Sequence, residues 1–394
     1  MIIGVPKETF AGEQRVALVP AVLPALIKAQ VEVWVESGSG EAAGFSDDAY
    51  QERGARIESQ RSGIFSAANV ILQVRGLGAN LDAGRADLDF IRAGQVIIGF
   101  LRPLEEPKAL EELARHNVTS FALELMPRIT RAQSMDVLSS MSTITGYKSI
   151  LLAASHLPKI FPMMMTAAGT VSPARVLVVG AGVTGLQAIS TAHRLGAVVH
   201  AYDIRPAVKE EVESLGARFA ELPLETRDTE DADGYAKAMD EAFYRKQQEV
   251  MAKFVSESDV VITTAMVPGK KAPILITGEM VKSMKPGSVI VDLAARRGGN
   301  CELCRPGETV AEHGVTIIGI TNLASTIPHH ASQLYAKNIS NFVLHLLKNG
   351  QMQLNMDDEI TRETMVTRGG EVVHPRVRQL FGLKSTTTTG REKE

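Results

Sequence analysis

Short apolar runs alternate with stretches of helical spacing along most of this chain. In the first 125 residues the strand-like runs are 2–5, 31–35, 70–74, 96–101 and 118–122, with helical patterns at 21–29 and 110–116 between them. Such alternation predicts a parallel sheet covered by helices. Gly38, Gly40 and Gly44 nearly repeat a phosphate-binding spacing, but the last interval is one residue too long, and the segment reads as a loop. Residues 126–170 form a polar junction that turns into a long helix from about Ser139. Within it Met163, Met164 and Met165 read as core or hinge packing, because methionine fills irregular gaps.

A second α/β stretch covers residues 171–320. The run Val176, Leu177, Val178, Val179 ends in Gly180-Ala181-Gly182-Val183-Thr184-Gly185, a helical pattern follows, and the apolar run 197–202 closes on Asp203. Strand, glycine turn, helix, strand and acid together form a dinucleotide-binding signature. Its first glycine permits a tight turn, its second lets the backbone approach a pyrophosphate, and its third lets helix and strand pack closely. The helix N-terminus adds free N–H groups and a positive dipole end. Asp203 stands 18 residues beyond Gly185, near the ~20 expected of the acid that accepts from the adenosine ribose hydroxyls. The signature predicts NAD(H), since an acid there repels a 2′-phosphate; Arg205, two residues on, tempers that preference.

Beyond Asp203 the pattern predicts a helix at 207–215, a polar acidic stretch at 225–233 ending in Gly234-Tyr235, and an amphipathic helix at 236–254. Strands are expected at 260–264, 288–292 and 315–318, the second preceded by the turn Lys285-Pro286-Gly287-Ser288. A helix at 333–347 returns the chain to the first domain, and 384–394 reads as a disordered tail. No internal repeat appears.

Composition narrows the function. The 394 residues suffice for two or three domains, and a net charge of −3 gives no sign of a nucleic-acid surface. No apolar run reaches the ~18 residues of a membrane span, and the opening MIIGVPKE lacks the marks of a signal peptide. Two cysteines exclude a disulfide framework. They stand as Cys301-Glu302-Leu303-Cys304, but no further ligands lie at zinc-site spacing, so they read as two unpaired thiols and no metal is expected.

Four groups of residues could carry chemistry. The densest is Arg128, Arg131, Gln133, Ser134 and Asp136, followed by Ser139, Ser140 and Ser142. It lies between the two α/β stretches, and a cleft between domains is a usual place for a nicotinamide ring. Arg128 and Asp136 could pair, and Gln133 offers both a donor and an acceptor. The segment reads equally as a linker in which Ser139 and Ser140 cap a helix. The second group, Lys7, Glu8, Glu13, Gln14 and Arg15, suits an anionic substrate at a strand end or is surface charge. The third and fourth, Thr263-Thr264-Ala265 and Asp292-Leu293-Ala294, stand where strand ends line a nucleotide crevice. His193, His200, His329 and His330 read as structural, with the last two in a loop.

The segments ELMPRITRAQSMDVLSS, MMMTAAGTVSPARVLVVGAGVTGLQAI, DGYAKAM, ITTAMVPGKKAP and GSVIVDLAARRGGNC resemble the NAD(H)-binding component of proton-translocating nicotinamide nucleotide transhydrogenase. That family lies in a superfamily with alanine dehydrogenase, which shares the N-terminal KE…RVA pattern. The likeness runs from the first strand to about residue 380. It implies two Rossmann-like, doubly wound α/β domains: residues 1–138 plus 326–383, and 139–325. It also implies direct hydride transfer, Re/Si-specific, from NADH to NADP+ on a partner component, with a membrane component coupling the transfer to proton movement. A homodimer is implied, cytoplasmic and held at the inner face of the membrane by its partners. The chain shows no membrane helices and so resembles the separate soluble subunit.

Carried over by position, Arg128, Gln133 and Asp136 would do the work at the nicotinamide and its ribose, with Ser139 nearby. The segment Gly180, Ala181, Gly182, Val183 and Gly185 would hold the pyrophosphate. Asp203, Ile204 and Arg205 would meet the adenosine ribose, Thr264, Ala265 and Leu293 would line the crevice, and Tyr235 would sit in a mobile lid. Chemistry agrees at one point. Oxidising an amino acid needs a general base, whereas hydride exchange between nicotinamides needs positioning and dryness. Where alanine dehydrogenase has a lysine and a histidine, this chain has Arg75 and Arg102, which stay protonated. That departure speaks against alanine oxidation and leaves a vestigial anion pocket near Arg15 and Arg75. A nucleotide sensor without catalysis is the third possibility.

Overall fold

The computed structural model describes residues 1–220, 239, 241–266, 271–380 and 382. Tyr235, the acidic stretch 225–233 and the tail 384–394 lie outside the described residues. The chain divides into two compact units, Met1–Met141 with the described residues from Ser325 on, and Ser142–Ala324.

The first unit opens with β1 (Ile2–Val5), α1 (Leu23–Lys28), β2 (Glu32–Glu36), α2 (Asp47–Glu52), β3 (Arg56–Glu58), α3 (Arg61–Ala67) and β4 (Val70–Arg75). It continues through β5 (Val96–Phe100), α4 (Pro107–Arg115) and β6 (Thr119–Ala122). The strands run parallel in the order β3-β2-β1-β4-β5-β6. Every residue of β4 is buried, as in a strand covered on both faces, and this is why its sequence does not alternate. Helix α4 begins at Pro107, whose missing N–H costs nothing in a first turn. The Gly38–Gly44 loop reading stands, with one short 3-10 turn at Glu41–Ala43.

The boundary falls inside α5 (Val137–His156). A hairpin comes next, β7 (Met164–Thr166) with β8 (Gly169–Val171), in which Met164 faces Val171. Of the two readings of the three methionines, core or hinge packing, this overturns the first. Met163 is 59% and Met165 78% exposed, because the hairpin is a two-stranded ribbon outside both large sheets.

The second unit then forms β9 (Arg175–Val179), α6 (Val183–Arg194), β10 (Val198–Tyr202), α7 (Lys209–Ser214), β11 (Arg218–Phe219), α8 (Glu241–Glu257) and β12 (Val260–Thr263). It closes with α9 (Gly278–Ser283), β13 (Val289–Asp292), β14 (Thr309–Glu312) and β15 (Val315–Ile318). The strand order is β11-β10-β9-β12-β13-β15-β14, parallel except for β14. Ile150 and Ala153 of α5, Leu157 just past its end, and Ala188, Ile189 and Ala192 of α6 bury one face of it. Gly146 makes that close packing possible, since a Cβ there would run into the Thr184 backbone oxygen.

Helix α10 (Pro328–Leu346) brings the chain back to the first sheet, and Phe342 meets Phe121 edge-on at 5.5 Å. The expected helix starts earlier than its apolar spacing suggests, because Pro328 opens it. His329 and His330 therefore stand in the first helical turn and not in a loop. After the short pair β16 (Leu347–Lys348) and β17 (Gln351–Met352) come α11 (Glu359–Thr364), β18 (Met365–Arg368), β19 (Glu371–Val372) and α12 (Pro375–Leu380). Strands β18 and β19 extend the first sheet antiparallel beyond β6.

Candidate functional site

In the second sheet β9 and β12 are neighbours whose chain connections leave in opposite directions. This is the topological switch point, where open α/β sheets bind ligands at the carboxyl ends of their strands. The glycine segment sits there. Gly180 has φ +100°, a left-handed conformation that a side chain would resist. A Cβ on Gly180 would also meet Thr264 Oγ1, whose hydroxyl donates to the Gly180 carbonyl at 3.1 Å. A Cβ on Gly185 would collide with the Gly180 carbonyl oxygen, so α6 can lie this close to β9 only with glycine at 185. Gly182 differs, because nothing stands within 4 Å of where its Cβ would be. It precedes α6 as N-cap with no side chain bonded to the first-turn N–H groups. The cradle is therefore open at the residue that would face a pyrophosphate, and the residues present fit a dinucleotide.

Asp203 directly follows β10 and is buried. Its Oδ2 accepts from the Ala181 N–H at 2.7 Å, which ties the acid to the glycine turn. Its Oδ1 accepts from the Arg205 N–H and Nε, each at 2.9 Å, and Arg205 Nη2 reaches Oδ2 at 3.0 Å. Ile204, between them, is half-buried.

The crevice wall is set by Asp292, which the sequence reading singled out, and by Asn300, which it did not. Asn300 donates from Nδ2 to the Ala265 and Pro273 carbonyls at 2.9 and 2.8 Å. Asp292 accepts the N–H groups of Ala294, Asn300 and Cys301 at 2.7–2.9 Å, folding the loop beside Leu293. The GGNC motif was the only signal for Asn300. Both thiols are free, as the reading of two unpaired thiols expects, and burial pushes Cys301 and Cys304 up to about 12.

In the first unit, residues 128–139 form a 3-10 turn at Thr130–Met135 that runs into α5. Ala132 and Met135 are buried beneath it, while Arg128 and Gln133 are exposed. Asn338 and Asn341 of α10 donate to the Ser134 carbonyl at 2.9 and 3.1 Å, and Arg131 pairs with Asp358 at 2.5 Å. The expected capping serines are not the cap. Asp136 precedes α5 and accepts the Ser139 N–H at 2.9 Å and its hydroxyl at 2.5 Å, as a short acid does for the third helical residue.

The first sheet has its own switch point, between β1 and β4, and there the chemistry is closed. Glu8 accepts the Val74 and Arg75 N–H groups at 2.6 and 3.1 Å. Glu13 holds Arg15 at 2.6 Å and Arg75 at 2.7 Å with its two oxygens. The Glu13, Arg15 and Arg75 side chains are buried, which corrects the surface reading for these charges, whereas Lys7 and Gln14 are exposed. Burial beside Glu13 pushes Glu8 up to about 8. Burial also works against ionising Glu13, but Arg15 and Arg75 outweigh it and hold that acid near 2. In the pocket expected near Arg15 and Arg75, Glu13 thus bridges both guanidiniums and offsets one of their two charges from within. Arg102 pairs with Glu105, and its backbone N–H donates to Glu124.

Comparison with known proteins agrees with this geometry. The model for the alanine dehydrogenase/PNT N-terminal domain matches residues 4–145, and that for the C-terminal domain matches 149–375. The first part of NAD(P) transhydrogenase subunit alpha from Rhodospirillum rubrum is 48% identical over 378 residues, 95% of this chain and 98% of that protein. The solved structure of a transhydrogenase from Sinorhizobium meliloti superposes with a TM-score of 0.82 at 41% identity, covering 95% of this chain and 99% of that one. An L-alanine dehydrogenase structure superposes at 0.79 with 26% identity, covering 97% and 99%.

Proposed function

This chain belongs to the alanine dehydrogenase/PNT family, and on that premise we propose that it is the NAD(H)-binding component of a proton-translocating NAD(P) transhydrogenase. The observation that carries the reading is the open glycine cradle at 180–185 with Asp203 anchored to it. In this reading the backbone of Gly180, Ala181, Gly182, Val183 and Gly185 holds the pyrophosphate, and Asp203, with Ile204 and Arg205, receives the adenosine ribose. Thr264, Ala265 and Leu293 line the crevice wall, and Tyr235, outside the described residues, is assigned to nucleotide binding. Arg128 and Gln133, exposed on an anchored turn, meet the nicotinamide and its ribose together with Asp136 and Ser139. Bound NADH supplies a hydride to NADP+ held by a partner component, with Re/Si specificity, and a membrane component couples the transfer to protons. The chain works as a homodimer on the cytoplasmic face of the membrane, held there by its partners; among the described residues no helix is long and apolar enough to cross it.

The chain's own groups need only orient the nucleotide and keep water out, since no proton leaves the reacting carbons. Alanine oxidation is disfavoured because Arg75 and Arg102 are guanidiniums held by Glu13 and Glu105, and neither can act as a base. Titration of the purified chain with NADH and NADPH, beside an assay with L-alanine and NAD+, tests the reading. NADH is expected to bind far more tightly than NADPH, with no alanine oxidation. Adding the NADP(H)-binding component should then move deuterium from 4-deuterated NADH into NADPH. Alanine oxidation would make the chain a dehydrogenase with an unusual base, and binding without transfer would make it a sensor.

A further inference from the structure

The role of Arg205 rests on the proposed reading in which Asp203 receives the adenosine ribose. A carboxylate offers about four acceptor positions, two on each oxygen. On Asp203 they are filled: Oδ1 by the Arg205 N–H and Nε, Oδ2 by the Ala181 N–H and Arg205 Nη2. Two of the four donors are backbone N–H groups, fixed by the turns after β9 and β10. The other two are the fork of one guanidinium on a side chain with rotatable bonds, and a fork of this kind binds both oxygens at once. A vicinal diol also presents two donors side by side. Fork and diol therefore need the same two acceptors, and they cannot hold them together. The pair is well shielded, with side chains 14% and 6% exposed, so it is not the weak contact that a surface ion pair would be.

We propose that Arg205 is an internal competitor for the ribose diol. Its guanidinium leaves Asp203 when NAD(H) binds and then lies beside the ribose 2′ position. One residue thereby has two effects. The affinity for NADH is lower than Asp203 alone would provide, which favours rapid exchange of nucleotide. Discrimination against NADPH is also narrower, because the displaced cation attracts a 2′-phosphate that Asp203 repels. Arg205 thus sets specificity by opposing the acid that confers it.

The test uses the full chain as wild type, Arg205→Ala and Arg205→Lys. NADH and NADPH are titrated into each by fluorescence, and each is unfolded thermally without nucleotide. Arg205→Ala is expected to bind NADH about fivefold more tightly, the effect of removing a competing contact of ordinary strength. NADPH should bind it more weakly than wild type, so the ratio of the two affinities widens, while the nucleotide-free protein unfolds at a lower temperature. Arg205→Lys should fall between, since an ammonium cannot span both oxygens; if the alanine variant does not fold, the lysine variant carries the same comparison. Weaker NADH binding in the variants would overturn the proposal. So would equal changes for NADH and NADPH, which mark a purely structural role. Asp203→Ala, measured alongside, separates the two levels of failure. If it binds NADH like wild type, the ribose assignment is wrong; if it loses affinity while Arg205→Ala also loses, only the competition is.

Discussion

Asp203 carries the adenosine half of the proposed site, and its worth can be measured. It is buried, bonded to the glycine turn through the Ala181 N–H, and positioned before any nucleotide arrives. Asp203→Ala should weaken NADH binding by about 1–3 kcal/mol, the usual cost of leaving buried polar groups without partners, as read by fluorescence titration. Unchanged affinity would place the ribose elsewhere. The acid was legible in the sequence because its distance from the glycines is set by one helix and one strand. Its partner was legible only as a nearby cation. That Arg205 folds back in a bidentate pair depends on the turn after β10, and spacing does not report it.

At the scale of elements, the three fingerprint glycines do different work, and substitution should separate them. Gly185→Ala would push a methyl group into the Gly180 carbonyl, which is backbone and cannot step aside. It should destabilise the chain by about 1–3 kcal/mol, as overpacking does, seen in a lower urea midpoint. Gly182→Ala meets open space, so the midpoint should stay near wild type, while NADH affinity should fall if, as proposed, the methyl group enters the pyrophosphate path. A stability loss at 182, or none at 185, would contradict the geometry. Strands were readable because apolar runs buried on both faces leave a plain mark, and Val260–Thr263 and Val315–Ile318 appear almost where the pattern places them. The hairpin was not, because three methionines look the same in a core or on an exposed ribbon. The Asp136 cap was missed for a similar reason: three serines come after it, and only the helix start shows which side chain turns back.

At the scale of the molecule, two sheets with the same parallel strand order end in opposite chemistry. The second presents bare backbone at its switch point; the first fills its own with Glu8, Glu13, Arg15 and Arg75. This filling has a pH signature. Native Glu8 keeps its proton up to about 8, whereas an unfolded glutamate loses it near 4.5, and Glu124, buried, is raised to about 7 in the same way. Folding therefore takes up protons in that window, and their contribution to stability, complete at low pH, is lost as pH rises through the folded values. Each proton taken up contributes a slope of about 1.4 kcal/mol per pH unit. Urea midpoints should fall from pH 5 to pH 8, and Glu8→Gln, which has no proton to lose, should fall less. Equal falls would mean that Glu8 ionises normally in the fold.

The sequence by itself determined the class of fold, the nucleotide signature and the arginines at 75 and 102. Those depend on local periodicity, on residues a few turns apart, and on which side chains can hold or release a proton. It left open whether the charges at 7–15 were surface or site, and whether serines or an acid capped the junction helix. Only the tertiary structure decided these, because Glu13 meets Arg75, and Ser134 meets Asn338, across long stretches of chain that the fold alone brings together. A buried charge is recognised by its partner, and the partner is a property of the packing.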